Sequence, residues 1–334
     1  MLVNAFEGVP LVESPIFENI KSTLPEDVIC IAEKLNTDGY AVIDFQDEFF
    51  DERVERIKSD LYKQFDFDSW RNHGWKNGGG LRLTDQWMFN DDVRAIATNK
   101  YVLGLIKDLY GRAPVPFQTL NFPVGTQQSV HSDLFFFNSF PEKYMCGVWV
   151  AFEDMDESNG PLVYYPGSHK WPILWGEHLG LDLSKHRTLG QHIMNPVWQK
   201  SIDASGIPPA YFHAKKGQAL LWASNLMHGG SRQLDPDRTR WAQVTHYYFE
   251  GCTYWRPYAS NVSSGNIFDF IPPNILTGSH YSISEKLRSK LPNDFDVAKY
   301  KFLNPDLYCL SEYHAMEHWI LNGQYEGRRY NDSK

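Results

Sequence analysis

The sequence predicts a mainly β domain (α+β class), a sandwich or barrel, with helices packed outside it and a small helical module after it. Three observations support this. The N-terminal third carries apolar residues at helical spacing. From Pro114 onward, short apolar and aromatic runs alternate with turn residues, which is typical of strands. Beyond about residue 285 the chain becomes polar and then returns to helical spacing.

Length and composition limit the possible architectures. The 334 residues suffice for one large domain, residues 1–285, and a small helical module, residues 290–330. A hydrophobic content of 42% with 11 tryptophans predicts a substantial packed core. The formal net charge of −9 argues against nucleic acid or an anionic membrane as a main partner, because both bind basic surfaces.

Cysteine usage and the N-terminal segment predict a cytoplasmic protein. The four cysteines, at positions 30, 146, 252 and 309, are scattered without a CxxC pair, so we expect reduced thiols. The N-terminus carries acidic residues where a signal peptide is apolar. No apolar run approaches the roughly 18 residues of a membrane span.

The N-terminal third predicts three helices and one buried strand. Thr23 and Glu26 have the spacing of a capping box, and the helix that follows should end at Gly39. The run "YAVIDF" then predicts a strand. Further helices are expected over residues 50–64 and 92–110, with a glycine-rich loop, "NGGG", between them.

Six apolar or aromatic runs after residue 114 predict the strands of the β domain. They are "VPFQTLNF", "SVHSDLFFF", "YMCGVWVAFED", "GPLVYYPGS", "QALLWAS" and "RWAQVTHYYF". A long stretch over residues 170–209 lacks this texture and interrupts the strands, so we expect a lid or insertion there.

His131 and Asp133 are the first candidates for a functional site. Residues i and i+2 of an extended segment share one face, so the pair is either a surface ion pair or two metal ligands that need a third. His228 is the candidate third ligand, because it follows an apolar strand and precedes two glycines that permit close backbone approach. Two histidines and one carboxylate are the ligand set of non-heme Fe(II) oxygenases.

Such oxygenases also need a fixed cation for the distal carboxylate of 2-oxoglutarate, and arginine suits it because its planar guanidinium binds carboxylates in a bidentate manner. Arg240 lies 12 residues beyond His228, at the start of the run "RWAQVTHYY". It should lie near the metal if the two strands pair antiparallel. Arg238 is the competing candidate.

Three sequence blocks carry a family resemblance: "HSD", "NGPLVYYPGSHK" and "HGGSRQLDPDRTRWA". Over about residues 30–250 the chain resembles the phytanoyl-CoA dioxygenase family of Fe(II)- and 2-oxoglutarate-dependent oxygenases. The resemblance implies a double-stranded β-helix (a cupin-like jelly roll). It also implies that His131, Asp133 and His228 bind iron and that Arg240 binds 2-oxoglutarate.

The same resemblance implies finer roles. Ser231 resembles the family serine that shares the distal carboxylate, although here it comes one residue later after the histidine. Gln118 falls where relatives place a polar contact to the cosubstrate. The family pattern favours Arg240 over Arg238. In the family, a small residue that continues the strand follows shortly after the arginine, as Ala242 follows Arg240. His169, in "PGSHK", is implied to have a structural role in a turn.

Several aromatic residues leave two interpretations open. Trp149 and Trp222 lie on apolar strands and are expected in the core, although Trp149 alternatively lines the cosubstrate pocket. The aromatic run over residues 246–258 either forms a substrate wall of the kind that stacks on sugars or packs at the barrel edge.

The C-terminal segment "FDVAKYKFLNPDLYCLSEYHAMEHWILNGQYEGRRY" predicts two or three short helices. It resembles a small helical repeat found beside glycosyltransferases and other bacterial polysaccharide-assembly proteins, so the module either contacts such a partner or docks on the barrel. His314 and His318 have the i, i+4 spacing of zinc ligands, but no third ligand is in view.

Together these features predict an Fe(II)- and 2-oxoglutarate-dependent dioxygenase that uses O₂ to hydroxylate or otherwise oxidise a small organic substrate. The C-terminal resemblance favours a sugar, a nucleotide-sugar or a glycan substituent. The carboxylate of Asp133 differs from the small residue that related halogenases have at this position. The alternatives are a cupin-like isomerase or lyase and an inactive binding protein, for which Arg240 would have no evident use.

Overall fold

The computed structural model describes residues 6–185, 190–308 and 310–331. In these ranges the strands are β1 Tyr40–Asp44, β2 Leu83–Thr84, β3 Pro114–Phe122, β4 Asn138–Phe140, β5 Met145–Ala151, β6 Leu162–Tyr164, β7 Ala210–Phe212, β8 Gln218–Ala223, β9 His228–Gly230, β10 Ala242–Phe249 and β11 Thr253–Trp255. The α-helices are α1 Phe17–Ile20, α2 Glu26–Asp38, α3 Phe50–Tyr62, α4 Phe67–Ser69, α5 Asp91–Ala97, α6 Lys100–Tyr110, α7 Gly190–Ser205, α8 Glu285–Arg288, α9 Val297–Leu303 and α10 Glu312–His318.

Two antiparallel sheets form the body of the β domain, and strands β4 and β11 pair in a separate two-stranded sheet. The main sheet has the strand order β1-β8-β5-β10-β3-β2, and the smaller sheet has the order β7-β6-β9. Side chains of both sheets share one apolar interior, in which Trp149 and Leu220 of the main sheet pack with Leu162 and Phe212 of the smaller one. The predicted double-stranded β-helix is therefore confirmed.

The N-terminal helices cover the outer face of the main sheet. Strand β5 alternates between two environments, with Val148 and Val150 packed toward the helices and Trp149 and Ala151 toward the interior. Both faces of this strand are buried, which explains why its sequence is continuously apolar rather than alternating.

The predicted capping box at the start of α2 is wrong. The Thr23 hydroxyl donates to the carbonyl of Ile20, 2.7 Å away, and so serves the preceding turn instead. Pro25 occupies the N-cap position without a side-chain cap. The end of the helix is as predicted, because Gly39 adopts a φ of 83° that favours glycine.

Four other predicted elements differ from the structure. The run "SVHSDLFFF" is not a strand, because it forms a single bridge at His131 and then a 3-10 helix, Asp133–Phe135. The second helix ends at Tyr62. The third is divided into α5 and α6, because Asn99 caps a new helix by accepting from the Val102 N–H. The stretch over residues 170–209 contains helix α7, whose Trp198 packs against Phe135 next to the candidate metal ligands. Apolar side chains at i, i+4 and i+8 hold this helix on the β domain: Met194, Trp198 and Ile202.

The C-terminal segment packs on the barrel. A continuous apolar cluster joins Phe117 and Tyr248 of the main sheet to Tyr300 and Ile320 of the C-terminal helices. The two histidines at i, i+4 spacing each have another partner: His314 hydrogen-bonds to Ser311, and His318 hydrogen-bonds to Tyr300. No third ligand joins these histidines among the described residues. The predicted boundary near residues 285–290 stays a prediction.

A buried ion pair joins the C-terminal helices to the β domain. The Arg256 Nε lies 3.1 Å from the Glu317 Oε1, and both side chains are almost fully buried. Tyr313 donates its hydroxyl to the same carboxylate oxygen at 3.0 Å. Burial alone would lower the pKa of Arg256, but Glu317 and nearby tyrosines raise it above the ordinary value, so the guanidinium stays charged.

Two further expectations concern location. The described cysteines, Cys30, Cys146 and Cys252, are free thiols, whereas Cys309 lies outside the described residues. No described helix is both long and apolar enough to cross a bilayer.

The buried ion pair generates a stability prediction. Glu317→Gln should lower the free energy of unfolding by about 3 kcal/mol, because it leaves the Arg256 charge buried without a counter-charge. Glu312→Gln, on the exposed side of the same helix, is the matched control and should change it by less than about 0.5 kcal/mol. Chemical denaturation measures both, and equal stability of the two variants would contradict the role of the pair.

Candidate active site

His131 and His228 are held opposite one another by the backbone. The His131 N–H donates to the His228 carbonyl at 2.9 Å, and the His228 N–H donates to the His131 carbonyl at 3.0 Å. This antiparallel bridge places both imidazoles on one side, with ring centroids 4.5 Å apart. Gly229 is required here, because a Cβ at that position would lie 2.7 Å from the Gln128 carbonyl oxygen.

Backbone carbonyls select the tautomer of both histidines. The Nδ1 of His131 lies 2.9 Å from the Ser129 carbonyl, and the Nδ1 of His228 lies 2.9 Å from the Leu226 carbonyl. Since a carbonyl only accepts, each Nδ1 carries the proton and each Nε2 presents a lone pair. Burial lowers the pKa of His228 to about 4, so its ring is neutral at physiological pH, as metal ligation requires.

The Asp133 carboxylate completes the ligand group. Its oxygens lie 3.6 Å from the His131 Nε2 and 3.8 Å from the His228 Nε2. One ligand atom from each of the three residues falls within 4.8 Å of the others. Burial alone would raise the pKa of Asp133, but the surrounding histidines lower it below the ordinary value, so the carboxylate is ionised. The arrangement matches a two-histidine, one-carboxylate site for a transition metal.

Trp222 fixes the orientation of that carboxylate, a role that the expected core placement missed. Its indole Nε1 donates to the Asp133 Oδ2 at 2.8 Å. Gly147 faces Trp222 across the β5–β8 pair, and a Cβ there would lie 2.1 Å from the indole ring. The sequence signal was a glycine inside an apolar strand, which indicates close approach of another group.

His246 is a third histidine at the site, and the sequence did not single it out. Its Nε2 lies 3.6 Å from the Asp133 Oδ2, while its Nδ1 lies 3.0 Å from the Gln118 Oε1. Burial lowers the pKa of His246. Gln118 thus lines the same cavity and contacts this histidine. Within the aromatic run 246–258, only His246 lines the cavity, whereas Tyr248 and Tyr254 stack on each other in the core.

The ligand group faces a cavity of about 270 Å³. The lining combines the ligand group with polar, apolar and cationic side chains, among them Arg82, Thr84, Gln118, Leu120, Phe122, Phe136, Phe137, Trp149, Gln191, Arg240 and Val244. Trp149 therefore lines the cavity, as one of its two interpretations predicted.

Arg240 lies fully buried in the cavity wall. None of its three guanidinium nitrogens has a hydrogen-bond partner among the described residues, and the Trp149 Nε1 is also unpartnered. The guanidinium carbon sits 5.3 Å from the centroid of the Trp149 ring. Burial lowers the pKa of Arg240 to about 10, so it still carries its charge at neutral pH.

The other sequence candidates lie away from the cavity. Arg238 pairs with Asp156 at 3.0 Å near the surface. Ser231 does not line the cavity, and its hydroxyl donates to the Pro161 carbonyl at 2.7 Å. His169 is buried in a turn, with its Nε2 3.1 Å from the Asn36 carbonyl.

The expected route from His228 to Arg240 is wrong, although both residues reach the cavity. Strand β9, which carries His228, pairs with β6 in the smaller sheet. Strand β10, which follows Arg240, pairs with β3 and β5 in the main sheet. The two residues approach from different sheets rather than along neighbouring strands.

The chain is similar in sequence to phytanoyl-CoA dioxygenases. The family model "Phytanoyl-CoA dioxygenase (PhyH)" matches residues 35–240. The peroxisomal phytanoyl-CoA dioxygenase of Rattus norvegicus is 27% identical over 39% of this chain and 36% of that protein. The probable phytanoyl-CoA dioxygenase of Caenorhabditis elegans is 29% identical over 45% of this chain and 50% of that protein. The matched region thus spans about a third to a half of these relatives.

Solved structures share the fold. The alpha-ketoglutarate-dependent carbocyclase SnoK from nogalamycin biosynthesis is 15% identical, with a TM-score of 0.51 over 73% of this chain and 90% of that chain. The epimerase SnoN, solved with Fe³⁺, alpha-ketoglutarate and nogalamycin RO, is 17% identical, with a TM-score of 0.50 over 78% of this chain and 98% of that chain. Because the family model covers more than half of its residues, the chain belongs to the phytanoyl-CoA dioxygenase family.

Proposed function

We propose that the protein is an Fe(II)- and 2-oxoglutarate-dependent dioxygenase that oxidises a small organic substrate. The observation that carries this proposal is the Arg240 guanidinium, which is 0% exposed and unpartnered in the cavity that also contains the His131, Asp133 and His228 group. The ligand group accounts for a metal, and the guanidinium accounts for a cosubstrate anion. Family membership supports the same combination.

A buried, unpartnered guanidinium implies an anionic ligand. Leaving an ionised group without a partner in the interior costs several kcal/mol, so a native protein keeps one only where something else supplies the counter-charge. Among the described residues, Asp133 is the one acidic side chain that lines the cavity, and its oxygens face the three histidines. A dicarboxylate that reaches from the metal to Arg240 would satisfy both ends, because the guanidinium binds carboxylates through two parallel hydrogen bonds.

The side chains of the protein perform binding, orientation and exclusion of water. His131, His228 and Asp133 hold the metal, and Trp222 keeps the carboxylate turned toward it. The unpartnered Arg240 guanidinium and Trp149 N–H would anchor the cosubstrate in the cavity. The bound iron with 2-oxoglutarate and O₂ supplies oxidative decarboxylation to succinate and CO₂, with oxygen transfer to the substrate.

Apolar side chains around the cosubstrate end keep water away from this reaction. Leu120, Phe122 and Val244 line that part of the wall together with Trp149. A dry environment strengthens the pairing between Arg240 and a carboxylate, because the effective dielectric constant is low.

The two alternatives account for fewer observations. An isomerase or lyase that uses the metal alone would leave the Arg240 charge without a counter-ion. An inactive binding protein would have no need for both histidine tautomers to present Nε2 to one point. We also propose a cytoplasmic location, which the free thiols support. A sugar-related substrate and a polysaccharide-assembly partner rest on the sequence of the C-terminal module and stay predictions.

Replacement of Arg240 tests the cosubstrate assignment. Arg240→Lys keeps the charge but loses the bidentate geometry, so 2-oxoglutarate should bind roughly 30-fold more weakly to the iron-loaded protein, a loss of about 2 kcal/mol. Anaerobic titration of 2-oxoglutarate into the Fe(II) protein, followed by its charge-transfer absorbance, measures the affinity. Fe(II) affinity in the absence of 2-oxoglutarate should be unchanged.

Arg238→Lys is the matched control for this titration, because it changes an arginine two residues away that pairs with Asp156 outside the cavity. It should leave the 2-oxoglutarate affinity unchanged. If instead Arg238→Lys weakens the cosubstrate and Arg240→Lys does not, the anchor is Arg238. If neither variant affects binding, the proposed function is wrong.

The hydrogen bond from Trp222 to Asp133 generates a prediction for metal binding. Trp222→Phe removes the N–H donor while keeping an aromatic ring, so Fe(II) affinity should fall by about tenfold. Trp255→Phe, on strand β11 outside the cavity, is the control and should have no effect. Equilibrium competition with a metal chelator measures both affinities, and an unchanged value for Trp222→Phe would show that the indole only fills space.

A further inference from the structure

A second arginine reaches the same cavity from the glycine-rich loop. The Trp70 Nε1 donates to the Gly79 carbonyl at 2.7 Å, and the Gln127 Nε2 donates to it at 3.1 Å. A Cβ on Gly80 would lie 2.7 Å from the Thr126 Cα, so only glycine permits this close contact. The loop is thus tied to the segment that leads into His131, and Arg82 follows two residues later.

The pairing of β2 directs Arg82 toward the cavity. Leu83 and Thr84 pair with Asn121 and Leu120 of β3. Side chains alternate along an extended segment, so Arg82 and Thr84 share a face, and both line the cavity. The register of β2 therefore accounts for an arginine at the site.

Arg82 has no counter-charge among the residues that the structure describes. Its guanidinium makes no hydrogen bond or ion pair with any residue that the structure describes, although solvent reaches the side chain. Partial burial lowers its pKa, with no acidic group to oppose the shift. Arg82 lines the same cavity as the His131, Asp133 and His228 ligand group.

Arg82 and Arg240 differ in what they can bind. Arg240 is fully buried, so its partner must be enclosed, as a cosubstrate is. Arg82 is exposed, so a ligand can reach it from solvent. The cavity lining also includes Gln118 and Gln191, whose amides can donate hydrogen bonds, and Phe136 and Phe137, which offer apolar faces.

The charges in the cavity leave Arg82 unmatched, if the proposed function holds. A divalent metal and Arg240 together carry three positive charges, and the 2-oxoglutarate dianion and Asp133 together carry three negative charges. One positive charge remains, on Arg82, whose solvent-exposed guanidinium in the cavity lining is free to pair with an incoming anion. A substrate with one anionic group would neutralise it.

We propose that Arg82 binds an anionic group of the primary substrate, a carboxylate, phosphate or sulfate, and so selects acidic substrates. This inference rests on the proposed 2-oxoglutarate-dependent function. The guanidinium would fix the anionic end at the cavity mouth, and the remainder of the substrate would extend past Phe136 and Phe137 toward the ligand group.

Paramagnetic relaxation tests this without turnover. The full-length protein is loaded with Mn(II) and 2-oxoglutarate under anaerobic conditions. Probes are short aliphatic and aromatic carboxylates with their primary amides, and alkyl phosphates and sulfates with their parent alcohols. Mn(II) should relax the protons of one or more anions but not those of the neutral partner, and Arg82→Gln should weaken this effect roughly tenfold. The comparison of carboxylates with phosphates and sulfates identifies the anionic group.

Arg232→Gln is the control, because it removes the same charge from an exposed arginine outside the cavity and should leave the relaxation unchanged. Arg82→Lys should restore part of the effect. Three results would overturn the inference. The neutral and anionic probes could relax equally, the relaxation of the anion could be unchanged in Arg82→Gln, or no anion could relax at all. Weakened 2-oxoglutarate binding in Arg82→Gln would overturn it as well, because it would make Arg82 a cosubstrate anchor. If the wild-type protein takes up no Mn(II) or 2-oxoglutarate, the proposed function fails instead.

Discussion

The pair of backbone hydrogen bonds between His131 and His228 is the interaction on which the site depends. These two bonds join the smaller sheet to the segment that precedes Asp133, and they place both imidazoles on one side before any metal is bound. The main sheet contributes Trp222, which turns the Asp133 carboxylate toward the same point. Because backbone pairing preorganises the two histidines, metal binding would cost little conformational entropy.

Unmatched positive charge in the cavity lining is the second constraint. Arg240 is fully buried and Arg82 is exposed to solvent, although both line the same cavity. The ligand group lines the same cavity. A protein that retains two such cations with one acidic side chain among the described lining residues is suited to bind two anionic molecules at once. The proposed cosubstrate and the inferred substrate anion fill these two requirements.

Part of this arrangement could be predicted from the sequence, because some constraints are local. The glycines after His228 indicate a close backbone approach within a few residues. His131 and Asp133 were also expected to converge, but the extended segment expected for them is wrong, because Asp133 begins a 3-10 helix. Trp222 and His246 could not be identified in this way, since their proximity to Asp133 depends on strand register and on Gly147 across the sheet. At Thr23 the local pattern gave a wrong prediction. Its spacing to Glu26 suited a capping box, but its hydroxyl donates to the Ile20 carbonyl of the preceding turn instead.

Formation of succinate from 2-oxoglutarate is the measurement that tests the central claim most directly. The Fe(II)-loaded protein in air should convert 2-oxoglutarate to succinate and CO₂ in equal amounts, slowly without primary substrate and faster with it. His228→Ala should abolish the conversion, because it removes a metal ligand, while the Arg232→Gln protein should retain it. A wild-type protein that binds Fe(II) and 2-oxoglutarate yet forms no succinate, or one whose succinate formation survives His228→Ala, would contradict the assignment of this cavity as the active site.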